Sequence, residues 1–88
     1  MWAREPYAIV EADRFLLEAA EFAESIRRWD EIRDTLLQHL PYTPHEAGYP
    51  VRGTPYYALT ILSDPLLTVY YSVDDDHRTL TFESIQIV

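Results

Sequence analysis

One histidine and three acidic residues stand together in the sequence as Asp74-Asp-Asp-His77. Carboxylates and imidazole are ordinary ligands of divalent metal ions, so the run first suggests metal binding. Consecutive turn residues cannot all face one ion, however, and the run lacks the glycine and the distal glutamate of a calcium loop. Aspartate is also common in turns, because its side chain bonds nearby backbone groups. We therefore expect a hairpin turn here, with no bound metal or cofactor.

The other residues that could carry chemistry lack the context that each reaction needs. His39 and His45 have no second ligand at metal-site spacing, and both are expected on the surface. No serine lies in a nucleophile elbow. Gly48 and Gly53 are the only glycines of the chain, so it has no glycine-rich phosphate loop. These observations exclude serine hydrolases and nucleotide-binding proteins of the usual kinds.

Tyrosine is unusually concentrated in the second half of the chain, where Tyr56-Tyr57 and Tyr70-Tyr71 form adjacent pairs. Successive side chains of a strand point to opposite faces, so one ring of each pair faces inward. Tyr57 and Tyr71 share parity with apolar neighbours and are expected in the core. Tyr56 and Tyr70 then face outward, and rings with hydroxyls suit a partner-binding surface. Ordinary strand propensity is the alternative explanation.

The hydrophobic period predicts the elements that position these residues. Residues 7–12 are apolar and partly β-branched, which is typical of a short strand. From Asp13, which suits a helix N-cap, apolar residues recur at spacings of three and four as far as residue 40. A rotation of the apolar face predicts a break within 24–30 and therefore two helices. One long bent helix over 13–40 is the alternative.

The period changes after the helices. Pro41 and Pro44 end the second helix because they cannot donate a backbone hydrogen bond, and 41–55 is predicted to be a loop. Three period-two strands follow, at 57–61, 67–73 and 78–88. Their turns lie at Ser63-Asp64-Pro65 and at 73–77. The parity of the last strand changes near Glu83 and Ser84, which predicts a β-bulge or burial of both faces at its end.

These elements predict one α+β domain over residues 1–88, with two N-terminal helices packed on one face of a mainly antiparallel sheet in the order β-α-α-β-β-β. The apolar residues on the inner sides of these elements should form the core: Phe15, Phe22, Ile32, Leu36, Leu59, Ile61, Val69 and Tyr71. The strand end at 85–88 is expected to be an open edge that needs a cover.

Composition excludes further classes of protein. The chain of 88 residues has 7 basic and 15 acidic residues, giving a net charge of −8, so a nucleic acid is repelled at long range. It has no cysteine, which excludes disulfides and thiolate chemistry. No apolar run is long enough for a membrane span, and the first residues do not form a signal peptide, so a cytoplasmic protein is expected.

The order of elements, together with Gly48, Val51-Arg52-Gly53 and the run from Val69 to Asp75 leading into Leu80-Thr-Phe82, resembles the RelE/ParE toxin superfamily. The resemblance covers roughly residues 7–88, and its specific part is 48–82. It implies a toxin that pairs with an antitoxin. RelE-like members cut mRNA on the ribosome, whereas ParE-like members bind DNA gyrase.

The sequence departs from the nucleases of this superfamily where the chemistry is most demanding. Cleavage through a 2′-hydroxyl needs a proton acceptor, a donor to the leaving oxygen and cations beside the phosphate. The RelE-like nucleases that this chain resembles commonly carry Arg or Lys on their central strands. At the corresponding positions this chain has Ala58 and Thr68. The resemblance leaves Arg52 and Arg78 as the candidate catalytic residues.

We therefore expect a protein of toxin-antitoxin type that acts through protein–protein contacts, without efficient RNA cleavage. A ribosome-dependent mRNA endonuclease is one alternative, and it requires Arg52, Arg78 and the outward tyrosines to converge. A non-toxic interaction module on the same fold is the other. The expected partner is an antitoxin-like chain or a second copy, and the ribosome or DNA gyrase would be the target. Binding to a membrane, or directly to nucleic acid, is not expected.

Overall fold

The periodic segments form helices and a sheet in the computed structural model, which describes residues 5–25, 28–63 and 66–88. Its elements are β1 (Ala8–Glu11), α1 (Asp13–Ser25), α2 (Trp29–His39), α3 (Pro44–Ala47), β2 (Tyr49–Pro50), β3 (Tyr56–Ile61), β4 (Leu67–Asp74) and β5 (Thr79–Ile87). A 3₁₀ turn, Leu40–Tyr42, joins α2 to α3. Within the described ranges, no helix combines the length and the apolar composition that crossing a bilayer requires.

The prediction of two helices is confirmed. Arg28, just before α2, has a φ of 70°, and a left-handed residue cannot continue a right-handed helix. Asp30 and Glu31 then place negative charge in the first turn of α2, where the helix dipole favours it. One bent helix over 13–40 is therefore wrong. Residues 26 and 27, within the predicted break, lie outside the described residues, as do Asp64 and Pro65 of the predicted turn.

The prediction of a loop over 41–55 is wrong, because this segment contains α3 and β2. Pro44 is the first residue of α3, a position where its missing N–H costs nothing. Tyr49 and Pro50 pair with Ala58 and Tyr57 at an edge of the sheet, where proline is also tolerated. Proline is excluded from helix interiors and central strands, but it is tolerated at the first position of a helix and on an edge strand.

The five strands form one sheet in the order β1-β5-β4-β3-β2. β1 runs parallel to β5, and the other neighbouring strands are antiparallel. The predicted α+β class is thereby confirmed, with β2 as an added edge strand. The phenyl rings of Phe15 in α1 and Phe82 in β5 stack with centroids 5.1 Å apart, so α1 is held directly on β5.

A bulge in β5 returns the apolar residues that follow it to the buried face of the sheet. Tyr71 pairs with Phe82 and Tyr70 pairs with Ser84, which leaves Glu83 as an extra residue. The bulge prediction is therefore confirmed. Because of it, Leu80, Phe82 and Ile85 are all buried.

The predicted open edge at 85–88 is partly covered. Glu18 of α1 accepts hydrogen bonds from the Ser84 hydroxyl (2.8 Å) and from the backbone N–H of Ile85 (3.2 Å). The Val88 N–H donates to the carbonyl of Leu66 at 2.9 Å. Gln86, Ile87 and Val88 keep exposed side chains, so these three residues match the prediction and the buried Ile85 does not.

Half of the predicted core is fully buried and half is not. Phe15, Leu36, Val69 and Tyr71 are buried as predicted. The other four predicted core residues pack against this cluster but are only partly buried: Phe22, Ile32, Leu59 and Ile61. Three of these four line a groove between α2 and β3, so their burial was overestimated because α2 does not close over β3.

Candidate functional site

The two outward tyrosines lie on the sheet face opposite the core. Tyr57 pairs with Tyr71, and their rings stack on the helix side with centroids 5.4 Å apart. The alternate residues point the other way, so Tyr56, which is exposed, and Tyr70, which is half-buried, share the outer face. That both bind a partner remains a prediction.

The resemblance to RelE-like nucleases implies a cation at positions 58 and 68, but this chain has none at either position. Ala58 pairs with Tyr70 and is buried, and Thr68 pairs with Thr60. A methyl group and a hydroxyl cannot neutralise a phosphate. The electrostatic groups that RNA cleavage requires are therefore missing from both of these positions.

Arg52 and Arg78 lie at the end of the sheet where β3 begins and β4 ends. Arg52 is exposed in the turn after β2, next to Gly53, whose φ is 78°. Arg78 has a φ of 49°, stacks its guanidinium 4.6 Å from the centroid of the Tyr7 ring, and donates to the carbonyl of Glu5 at 2.7 Å. Among the described residues, no hydrogen bond or ring contact joins Arg52 to Arg78 or either of them to Tyr56.

A chain of hydrogen bonds that the sequence does not predict lies at the same end of the sheet. The Asp75 carboxylate oxygen Oδ1 is 2.6 Å from the Tyr7 hydroxyl and 2.7 Å from His45 Nε2. His45 Nδ1 is 2.7 Å from the Tyr57 hydroxyl. We call Tyr57, His45, Asp75 and Tyr7 the His45 cluster.

Hydrogen bonding shifts the pKa of Asp75 and the pKa of Tyr7 in opposite directions. The hydrogen bonds from Tyr7 and then from His45 lower the pKa of Asp75, because both stabilise its carboxylate. The same contact raises the pKa of Tyr7, since ionising its hydroxyl beside Asp75 is unfavourable. Asp75 is therefore ionised at neutral pH, and Tyr7 donates to it.

The short helix α3 presents His45 because Tyr71 anchors it to the sheet. The buried Tyr71 hydroxyl donates to the carbonyl of Pro44 at 2.7 Å, and burial raises the pKa of this hydroxyl to about 12. The prediction that His45 lies on the surface is confirmed, but its hydrogen bonds were not predicted. Its partners Tyr57 and Asp75 are 12 and 30 residues away along the chain, so no local spacing indicates them.

The predicted Asp-His turn forms the hairpin between β4 and β5. His77 Nδ1 lies 2.8 Å from the Asp74 carboxylate, and the His77 backbone N–H also donates to Asp74. These contacts lower the pKa of Asp74, because they favour its ionised form. The pair acts as the turn contact that the aspartate pattern predicts.

A groove of about 660 Å³ separates α2 from β3. Its lining is mostly apolar and includes Ile32 and Leu36 of α2 with Leu59 and Ile61 of β3. Leu62, at its rim, is 89% exposed. In the described part of the chain, β2 pairs only with Tyr57 and Ala58, so the later residues of β3 have no neighbour on that edge. The groove therefore combines apolar surface with an open strand edge.

Comparison with known proteins identifies the fold. No family model matches the chain, and no curated protein matches it. A chain of the toxin-antitoxin complex RelBE2 from Mycobacterium tuberculosis is 15% identical, with a TM-score of 0.81 over 98% of this chain and 95% of that one.

Two further solved structures have a similar fold. A mutant E. coli RelE toxin in the free state is 20% identical, with a TM-score of 0.74 over 94% of this chain and 84% of that one. A chain of the intact E. coli RelBE toxin-antitoxin complex is 19% identical, with a TM-score of 0.73 over 93% and 96%. At these identities the likeness shows a RelE/ParE-like toxin fold, as the sequence motifs predicted.

Proposed function

We propose that this chain, on its RelE-like fold, is a protein of toxin-antitoxin type that acts through protein–protein contacts and does not cleave RNA efficiently. The groove between α2 and β3 is the observation that carries the proposal. Exposed Leu62 beside an open strand edge is the kind of surface that a partner chain covers. Two of the similar structures are toxin-antitoxin complexes, which supports an antitoxin-like chain as that partner.

The charge of the chain indicates what that partner should be like. Arg28 and Glu31 both line the groove and pair with each other, with Nε and Oε2 2.7 Å apart, so they offset one another there. Asp30 and Asp34 are exposed on α2. The whole chain carries a net charge of −8. A partner with apolar side chains for the groove and a net positive charge would be attracted at long range by the chain as a whole, whereas a second copy of this chain would be repelled. The antitoxin-like chain is therefore the partner that we propose.

The weak-nuclease part of the proposal rests on missing cations. Losing one well-placed charge stabiliser typically lowers a rate by ~10² to 10³. Two are missing, at Ala58 and Thr68, and the guanidinium of Arg78 is already engaged with Tyr7 and Glu5. Such losses are not strictly additive, but together they predict little catalysis.

A cleavage assay tests this part. Purified protein is added to translating ribosomes, and mRNA cleavage is mapped at codon resolution. We expect no cleavage above the level of an Arg52→Ala and Arg78→Ala double variant. Efficient cleavage that this double variant loses would instead establish the endonuclease alternative, with Arg52 and Arg78 as its catalytic residues.

A growth and binding experiment tests the partner. Expression of the chain alone should arrest growth, and co-expression of a neighbouring small gene should restore it. Leu62→Asp should weaken the purified complex at least about 10-fold, because it replaces an exposed apolar side chain of the groove with a charge that the partner would have to desolvate. Leu17→Asp is the matched control, since Leu17 is 71% exposed on α1 and does not line the groove.

The contrary outcomes of the growth and binding experiment lead to different conclusions. Normal growth with a partner still bound at the groove would establish the non-toxic interaction module. Equal binding by the Leu62→Asp and Leu17→Asp variants would place the interface elsewhere, with the Tyr56 and Tyr70 face as the next surface to test. A stable monomer that binds no neighbouring gene product would refute the partner altogether.

A further inference from the structure

The His45 cluster has the geometry of a nucleophile, a base and a group that orients the base. Tyr57 and Asp75 are each 2.7 Å from one ring nitrogen of His45. A hydroxyl within hydrogen-bond reach of an imidazole, itself held by a carboxylate, is the arrangement that activates nucleophiles in covalent catalysis. The cluster is separate from the groove between α2 and β3, so its chemistry does not depend on the proposed function.

Hydrogen-bond chemistry determines where the protons of the cluster lie. Asp75 is ionised and can only accept, so neutral His45 must carry its proton on Nε2 and donate it to Asp75. Nδ1 is then left with a lone pair, which accepts the proton of the Tyr57 hydroxyl. The proton of Tyr57 therefore already points at a base.

Packing holds the nucleophile in place and leaves it accessible. The Tyr57 ring stacks on Tyr71 at an interplanar angle of 14° and meets the His45 ring edge-on, with centroids 5.5 Å apart. The side chains of His45 and Asp75 remain 43% and 60% exposed. A small reagent can thus approach from solvent while the phenol ring stays oriented.

We propose that Tyr57 is an acyl-accepting nucleophile, with His45 as its general base and Asp75 as the residue that positions the imidazole. The Tyr57 oxygen attacks the carbonyl carbon of an activated ester while its proton passes to His45 Nδ1. The bond from that carbon to the leaving oxygen breaks, and the departing alkoxide or phenolate takes the electron pair. The products are an O-acyl tyrosine and the leaving group, which receives its proton from His45 or from solvent.

The charges around the cluster favour an uncharged acyl donor over a phosphoryl donor. The adjoining cavity of about 240 Å³ is lined by Glu5, Glu46 and Arg78 together with His45, and the Asp75 carboxylate bonded to His45 is the third carboxylate beside it. Three carboxylates against one guanidinium repel a phosphate dianion. A neutral ester meets no such barrier.

The experiment uses the native chain and p-nitrophenyl acetate, with acetylation of each tyrosine followed by mass spectrometry. The sequence contains no lysine and no cysteine, so acetylation of amine or thiol side chains cannot compete. We expect Tyr57 to be acetylated at least about 10-fold faster than Tyr49, although Tyr49 is 58% exposed and Tyr57 is half-buried. Equal rates at Tyr57 and Tyr49 would overturn the proposal without any variant being needed.

Variants of His45 and Asp75 then test the role of each residue in the acetylation of Tyr57. His45→Gln should slow acetylation of Tyr57 about 10²-fold and leave Tyr49 unchanged, because general bases typically contribute ~10² to 10⁴. Asp75→Asn should also slow Tyr57, because the imidazole loses its orienting charge. His77→Gln is the matched control, since His77 pairs with Asp74 in the hairpin and should leave the Tyr57 rate unaltered.

The pH profile separates base catalysis from a merely structural role. With an imidazole base, the Tyr57 rate should level off above neutral pH, whereas an unassisted phenol reacts as phenolate and its rate rises up to about pH 10. His45→Gln and Asp75→Asn should both convert the first profile into the second. A native profile that already rises throughout, or a His45→Gln rate equal to the native one, would refute the role of His45.

Discussion

Replacing Gly48 by alanine is expected to lower the free energy of unfolding by about 3 kcal/mol, because overpacking and the loss of a buried hydrogen bond each cost ~1 to 3 kcal/mol. An added Cβ would lie 2.6 Å from the Tyr71 hydroxyl oxygen and 2.8 Å from the carbonyl oxygen of Ala58. The Ala58 carbonyl belongs to β3 and cannot retreat, so the Tyr71 hydroxyl would be pushed off Pro44. Urea denaturation followed by circular dichroism measures the change.

Gly53→Ala is the control for Gly48→Ala, because the two glycines are needed for different reasons. Gly53 has a φ of 78°, and no atom of the described residues lies within 4 Å of an added Cβ, so alanine there costs only backbone strain, about 1 kcal/mol. Gly48 has an ordinary φ of −111°, and its cost is steric. If Gly48→Ala costs no more than Gly53→Ala, the close approach of Tyr71 to Gly48 is wrong.

Phe82→Ala is expected to lower the free energy of unfolding by ~3 to 5 kcal/mol, the range for truncating a buried aromatic ring. Phe82 is 1% exposed, and its ring stacks on Phe15 at the junction of α1 and β5. The truncation removes the aromatic contact between α1 and the sheet. Thermal and urea unfolding of the purified variant measure the loss.

Phe22→Ala is the matched control for Phe82→Ala. Both changes remove the same side chain, but Phe22 is only partly buried. We expect a clearly smaller loss for Phe22→Ala, because less apolar surface returns to water. Equal losses would mean that the two rings are buried alike and that α1 is rotated from its position on β5.

The sequence predicted the parts of the fold that depend on local periodicity. The apolar repeat of α1 and the alternation along β4 each need only neighbouring residues to be recognised. The bulge at Glu83 was predicted for the same reason, since the change of parity lies within one strand. The local pattern therefore determines which segments become helices and strands. It also determines which residues of β5 face the core on each side of the bulge.

The parts that could not be predicted depend on contacts between distant residues. His45 meets Asp75 only because Tyr71 anchors α3 by the carbonyl of Pro44, and nothing in the local sequence encodes that hydrogen bond. The partial exposure of Ile32 depends on the distance between α2 and β3, which periodicity does not report. A hydrophobic pattern identifies the inner side of an element without saying whether another element covers it.

The bulge makes residue 83 a place where the length of the chain can vary without changing strand pairing. Phe82 lies opposite Tyr71 and Ser84 opposite Tyr70, so a chain lacking Glu83 would keep both partnerships and form a regular ladder. A deletion at another position of β5 would shift every later residue to the opposite face. Natural length variation in this strand is therefore tolerated best at Glu83, and an alignment of distant relatives should place a gap there.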